Sequence, residues 1–260
     1  MIESSVNIYR RSSLRVAIIA LFAALYFLLS ILPGIPVVGL PGMKIQLEAS
    51  IASIFGILLG PYLGALSALL GTLIATFYGG LSLFNMIFIL NPASNAFISG
   101  LLVRGRWREA LVMFALIVIG FWLTPMPHPL HENWYVGVAA TFDKVIALLL
   151  IPPLHKFMSG ELSAITKRRA RLLRLVSPIF LIAFIGNQFD SALGCLIFAL
   201  PLVYQGIFGL ETEFVRTLFI ISPLAYPAIR LLQAVIASII GIPLIKALHM
   251  SKLVPSFEHE

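Results

Sequence analysis

Residues 48–77 read EASIASIFGILLGPYLGALSALLGTLIATF, a run that opens on one carboxylate, Glu48, and carries no further charge. One straight helix of that length would be about 45 Å long, against roughly 30 Å for the hydrocarbon core of a bilayer. Gly60-Pro61 falls near the middle, and a proline inside a helix removes a backbone donor and clashes with the preceding turn. The run therefore predicts two membrane spans joined by a tight turn. Gly56, Gly60, Gly64 and Ala68 recur every four residues, the spacing that lets membrane helices approach closely.

Other apolar runs of span length follow one another along the chain. They predict spans at 14–32, 46–59, 62–79, 86–103, 109–124, 136–156, 176–200 and 226–248. Pro33, Pro61, Pro125, Pro153 and Pro201 lie at or near predicted ends, and Pro92 is a candidate start for the fourth span, leaving 81–91 as an outer loop or half-helix. Composition agrees, since 60% of the residues are hydrophobic and only 11% charged, too few to solvate a soluble surface. The fold class expected is all-α, a polytopic membrane bundle of about eight helices. The run 14–32 exceeds a signal-peptide apolar region and no A-x-A site follows it, so it reads as an anchored first helix.

Net charge is +7, but the basic residues sit in short clusters between apolar runs, which argues against nucleic-acid binding. With the N-terminus inside, the inner segments hold Arg10, Arg11 and Arg15; Arg104, Arg106 and Arg108; Lys156, Lys167, Arg168, Arg169, Arg171 and Arg174; and Lys246 and Lys252. Only Lys44, Lys144, Arg216 and Arg230 fall elsewhere. The positive-inside rule then places both termini in the cytoplasm. KRRARLLR, 167–174, also suits contact with a partner or anionic lipid. The single cysteine, Cys195, excludes an internal disulfide framework. In the Pro-rich outer segment, His128, His131 and Glu132 have loose metal-like spacing, but such a pair more often faces water.

Polar residues within the spans are few. They are Asn91 and Asn95 at the start of the fourth, Asp143 and Lys144 in the sixth, Asn187, Gln188 and Asp190 in the seventh, and Arg230 and Gln233 in the eighth. With Glu48, all lie toward the outer half. A pore or proton relay needs polar groups through the full depth, whereas an outward-opening pocket needs them on one side. This distribution points to solute capture from outside, with Glu48, Asn91, Asn95, Asp143, Lys144, Asn187, Gln188, Asp190 and Arg230 as candidate binding residues. The competing explanation is helix packing through ion pairs. Adjacent Asp143 and Lys144 leave a helix about 100° apart, so each is expected to pair with another helix. Trp134, Tyr135 and Tyr226 fit an aromatic belt at the outer interface.

No P-loop, H-E-x-x-H or G-x-S-x-G motif occurs, and no catalytic constellation, metal or cofactor site stands out, so no enzyme is expected. The segment VIALLLIPPLHK, 145–156, echoes VIASIIGIPLIK, 235–246, which suggests that the last hairpin repeats the one before it.

The basic N-terminus, AIIALFAALYFLLS (17–30), a Pro/Gly-rich loop and LEASIASIFGILLGPYLGALSALLGTLIATF (47–77) together resemble the substrate-binding S components of energy-coupling factor (ECF) vitamin transporters. The match is clearest over 14–110. It includes the L-G-P-x-x-G-A turn at Leu59, Gly60, Pro61, Gly64 and Ala65, and GLLVRGRWREA at 100–110. The resemblance implies a micronutrient-binding subunit of the plasma membrane that docks on a coupling protein bound to two ABC-type ATPases. It implies that Ala17, Ala20 and Ala24 on the first helix form the small-residue patch facing the coupling protein. Family members have six helices, so 1–158 reads as the core, 159–175 as a basic cytoplasmic loop, 176–248 as an added hairpin and 249–260 as a tail. The alternative makes the last hairpin the family's own and another the insertion. The competing functions are a stand-alone secondary transporter with Asp143 or Asp190 binding a proton or sodium ion, and an intramembrane enzyme or assembly factor.

Overall fold

The structure, a computed structural model, describes residues 12–32, 35–36, 44–45, 49–162 and 171–250. The regular secondary structure of the described residues is helical apart from a short ladder pairing Ile35 with Ile45 and Pro36 with Lys44. The helices are α1 (Ser12–Ser30), α2 (Ala49–Tyr78), α3 (Leu83–Ile87), α4 (Asn91–Val103), α5 (Trp107–Trp122), α6 (Leu130–Leu162), α7 (Arg171–Phe198), α8 (Thr212–Ile221) and α9 (Tyr226–Met250). Among the described residues six stretches are long and apolar enough to cross a membrane: Ser12–Ser30, Ser50–Tyr78, Leu83–Val103, Leu130–Ser159, Pro178–Phe198 and Tyr226–Ile245. The 16-residue α5 is shorter than these.

The second of these stretches is broken at Gly60, whose φ of 79° and ψ of 178° leave helical space and are open to glycine at little cost. A straight helix would hold residues 55 and 64 about 13 Å apart along its axis. Instead, a Cβ on Gly64 would lie 2.7 Å from the Phe55 carbonyl oxygen. The two arms, 49–59 and 61–78, are therefore folded back on each other, as the Gly60-Pro61 step predicts.

Small residues set the packing at this end of the bundle. A Cβ on Gly56 would lie 2.0 Å from the Ala96 carbonyl oxygen, and one on Gly100 would lie 2.4 Å from the Pro61 nitrogen. Here α4 meets α2 backbone to backbone, with no side chain between them. The arm 61–78 also crosses α1, where Gly71 abuts Tyr26 and Ala23. The Arg104 guanidinium covers the Gly60 turn. The same end carries the stacked Trp107 and His155 rings, 5.3 Å apart, which join α5 to α6.

Several predicted boundaries moved. The Pro92 step does start a helix, with α4 opening at Asn91, and the residues before it, 81–90, contain the short α3. Helix α6 runs straight through Pro152 and Pro153 to Leu162, and α7 opens at Arg171, so both enter the segment read as the loop 159–175. Residues 167–170 of the basic run lie outside the described residues. The stretch after Pro201 is more ordered than a loop: a π-helical segment, Leu202–Ile207, precedes α8. Val215 and Phe219 of α8 are buried with Phe121, Met126, Val136 and Tyr204 in a small second core. Arg216 fastens this unit to the loop after α5. Its guanidinium donates to the carbonyls of Pro125, Met126 and His128 and pairs with Glu213.

Candidate functional site

Helices α4 and α7 run antiparallel, since Asn91 meets the level of Asp190 while Asn95 meets Asn187. On α4 the residues Asn91, Asn95 and Ser99 stand four apart and so form one stripe. Asn91 donates to the Asp190 carbonyl at 3.3 Å, Asn95 donates to Asn187 Oδ1 at 2.9 Å, and Ser99 donates to Asn95 Oδ1 at 3.3 Å. Glycines on α7 make room for them. A Cβ on Gly186 would fall 2.3 Å from both Asn95 Oδ1 and Ser99 Oγ, and one on Gly194 would fall 2.8 Å from Asn91 Nδ2.

Asp190 extends this network to α9. Its Oδ2 lies 3.6 Å from Arg230 Nη1, and the same Nη1 donates to Gln233 Oε1 at 2.9 Å. On α6, Lys144 Nζ lies 2.9 Å from Asp143 Oδ1, which also accepts from the Lys144 backbone N–H at 3.0 Å. This corrects the expectation that the two seek partners on other helices. The 100° between their Cα–Cβ bonds is bridged because the carboxylate turns back onto its own backbone and the lysine stem is long enough to reach round. Helices α6 and α9 both pack against α7.

The four charged side chains are buried, Arg230 being the most exposed at 7%. Two acids and two bases make the group formally neutral. Burying ions is costly, and a pair whose partner is lost typically costs about 3–5 kcal/mol. The amides and ions nevertheless retain hydrogen-bonding capacity. Asn91 Oδ1, Asp143 Oδ2, Asn187 Nδ2, Arg230 Nε, Gln233 Nε2 and both amide atoms of Gln188 are buried and have no protein partner. Each such group costs about 1–3 kcal/mol when left unsatisfied. Native interiors hold few of them, and here they lie on α7 and on three helices that pack against it, α4, α6 and α9. Unmet donors and acceptors of this kind are available to hydrogen-bond a polar molecule.

Five of the nine predicted binding residues, Asn91, Asn95, Asn187, Asp190 and Arg230, are joined along α4, α7 and α9; Asp143 and Lys144 pair with each other on α6, Gln188 is buried on α7, and Glu48 lies outside the described residues. The joined residues sit at the level of the first turns of α4 and α9, away from the Gly60 turn and Arg104. The half toward that turn is filled by apolar side chains such as Ile54, Leu101, Ile151 and Ile182. Ser99, Gly186 and Gly194 belong to the site and were not singled out from the sequence. The four-residue spacing of Asn91, Asn95 and Ser99 was the available signal.

The other sequence candidates lie elsewhere. Ala17, Ala20 and Ala24 are exposed on α1, whose opposite face buries Phe22, Ala23 and Tyr26. His128 Nε2 is 3.1 Å from the Trp122 carbonyl oxygen, and His131 pairs with Glu132 at 3.2 Å. No group of three or more metal-ligating side chains occurs among the described residues. Trp134 and Tyr135 are exposed, while Tyr226 is half-buried at the start of α9. No family model, no curated protein and no solved structure matches the chain.

Proposed function

We propose that the chain is a solute-binding membrane subunit of the ECF type. It captures a vitamin-like micronutrient outside the cell and delivers it inward when docked on a coupling protein and two ABC-type ATPases in the plasma membrane. The single observation that carries the binding reading is the buried, formally neutral centre of α4, α6, α7 and α9 with its unmet donors and acceptors. In this reading both arms of α2, and α5 as well, cross the membrane. Together with α1, α4, α6, α7 and α9 they make eight spans with both termini cytoplasmic. The Gly60 turn and the arginines 104, 106 and 108 then face the cytoplasm, and the polar centre opens outward. The exposed alanines of α1 suit a close, sliding contact with the coupling protein.

Affinity purification of the tagged full chain from its own membranes tests the assembly, with co-recovery of one membrane coupling protein and two ATPases as the expected result. Asp190→Ala or Arg230→Ala is expected to weaken solute binding at least about tenfold while leaving membrane insertion intact. Unchanged affinity in both variants would return the centre to a packing role. Uptake by the chain alone, driven by an ion gradient and lost in Asp143→Asn or Asp190→Asn, would replace this reading with an ion-coupled secondary transporter. Turnover of a lipid or peptide by the isolated chain would replace it with an enzyme.

A further inference from the structure

The corner where α4 turns into α5 and the last turns of α6 enclose a cleft of about 450 Å³. That lies within the roughly 300–1,000 Å³ of small-molecule sites. Its walls include Leu102 and Val103 of α4, Arg104 of the turn, and His155, Met158 and Ser159 of α6. Backbone N–H groups of the turn are spent, since Gly105 donates to the Leu102 carbonyl and Arg106 to the Leu101 carbonyl. The donors that line the cleft are therefore side chains, the Arg104 guanidinium and the His155 ring. Ser159 donates its hydroxyl proton to the His155 carbonyl at 2.8 Å, which leaves its oxygen as an acceptor. The His155 ring is held by its stack on Trp107.

The surroundings are basic. Residues 104–109 carry Arg104, Arg106 and Arg108 against one acid, Glu109, which Arg106 already pairs at 3.1 Å. Arg108 lies over the Trp107 ring, 5.5 Å from its centre, and Lys156 is exposed beside His155. Depth matters as well. Helix α6 has 33 residues. That makes it about 50 Å long against roughly 30 Å of hydrocarbon, so its last turns reach the headgroup layer. Trp107 at the same end is of the residue type that settles at that layer. A cleft there with a guanidinium, an imidazole and apolar walls meets both halves of an amphipathic anion. The positive-inside rule accounts for the arginines, but not for a cleft that brings His155 and Ser159 to Arg104.

We infer that this cleft binds the headgroup of an anionic phospholipid. Arg104 and His155 donate to its phosphate, Ser159 Oγ accepts from a headgroup hydroxyl, and Leu102, Val103 and Met158 line the path of its glycerol and upper acyl carbons. Basic pockets between membrane helices are suited to such headgroups. Only the leaflet, the cytoplasmic one, depends on the topology proposed above; the site does not depend on what the polar centre binds.

The test is native mass spectrometry of the full chain in mild detergent, titrated with phosphatidylglycerol, phosphatidylcholine and inorganic phosphate. One phosphatidylglycerol is expected to be retained, at least about tenfold more tightly than phosphatidylcholine, and excess inorganic phosphate is expected not to displace it. Ser159→Phe fills the cleft with every charge in place and is expected to weaken retention at least about tenfold, without lowering the melting temperature of the delipidated chain. Arg104→Gln/His155→Phe, which keeps an aromatic ring against Trp107, is expected to do the same to retention. Arg108→Gln, outside the cleft, is the control, expected within about threefold of the parent. Unchanged retention in Ser159→Phe, or a loss in Arg108→Gln as large as in the double variant, would make the attraction diffuse and overturn the site. Equal retention of the two lipids also overturns it, and displacement by inorganic phosphate would replace the lipid with a soluble phosphate ligand. If the double variant fails to fold, Ser159→Phe still decides, because it leaves Arg104 over the Gly60 turn. The leaflet is read separately: Lys156→Cys in a Cys195→Ser background is expected to resist an impermeant thiol reagent added outside intact cells. Labelling from outside would overturn the topology and leave the retention result standing.

Discussion

Helix α4 takes part in two junctions built by opposite rules. Toward Arg104 it meets α2 with glycine on both sides, Gly56 against Ala96 and Gly100 against Pro61, and backbone touches backbone. Toward Asn91 it meets α7 with glycine on one side only. Gly186 and Gly194 receive the amides of Asn95 and Asn91, and hydrogen bonds replace close backbone contact. The first junction is a steric fit with nothing polar left over. The second is a hydrogen-bonded fit with capacity to spare. Small residues in a membrane helix thus have two uses, to close a gap or to make a socket, and only the residue opposite tells which.

Four substitutions break or sharpen that contrast. Arg230→Met strands the buried Asp190 carboxylate and is expected to destabilise the protein by about 3–5 kcal/mol, most of it recovered in the double variant Arg230→Met/Asp190→Leu. Reversible unfolding in bicelles reads both; a double variant no more stable than the single one would mean that the pair is not the reason for the cost. Gly56→Ala puts a methyl group onto the Ala96 carbonyl and is expected to cost about 3 kcal/mol by the same measurement. A loss below about 1 kcal/mol there would mean that the α2–α4 junction yields easily, contrary to a steric fit. Gly60→Ala forces a side chain into a positive-φ, extended-ψ conformation that is essentially restricted to glycine, where about 1–3 kcal/mol of strain is expected, and the nearby Arg104 side chain can move aside. Gly120→Ala serves as the control: its methyl group would meet only the flexible end of Leu196 at 3.3 Å, and the better helix propensity of alanine offsets the contact. Its stability is expected to stay within about 1 kcal/mol of the parent.

Much of this was legible in the sequence because membrane helices write their rules in composition. The turn at Gly60-Pro61, the start of α4 beside Pro92 and the segregation of polar residues to one half all follow from residue type and position. Three things were not legible. The pairing of Asp143 with Lys144 depends on rotamers, which helical angles between Cα–Cβ bonds do not constrain. Helix α8 falls between the predicted spans 176–200 and 226–248, flanked by glycine and acids, yet Val215 and Phe219, four apart, supply the apolar face that holds it down. The sockets at Gly186 and Gly194 need the partner helix to be known, since a glycine alone does not reveal what fills it.

Arg216 has a consequence for the timing of synthesis. The three carbonyls it satisfies, those of Pro125, Met126 and His128, lie 91, 90 and 88 residues earlier in the chain. At roughly 5–20 residues per second, the ribosome delivers that arginine on the order of 5–20 seconds after the segment it fastens. Through that interval the turn after α5 has its local bonds, such as Thr124 to Phe121 and His128 to Pro125, and its packing on Val136 and Ala140 of α6. This fastening therefore forms only after α6 and α7 have been made, set by the order in which the chain emerges.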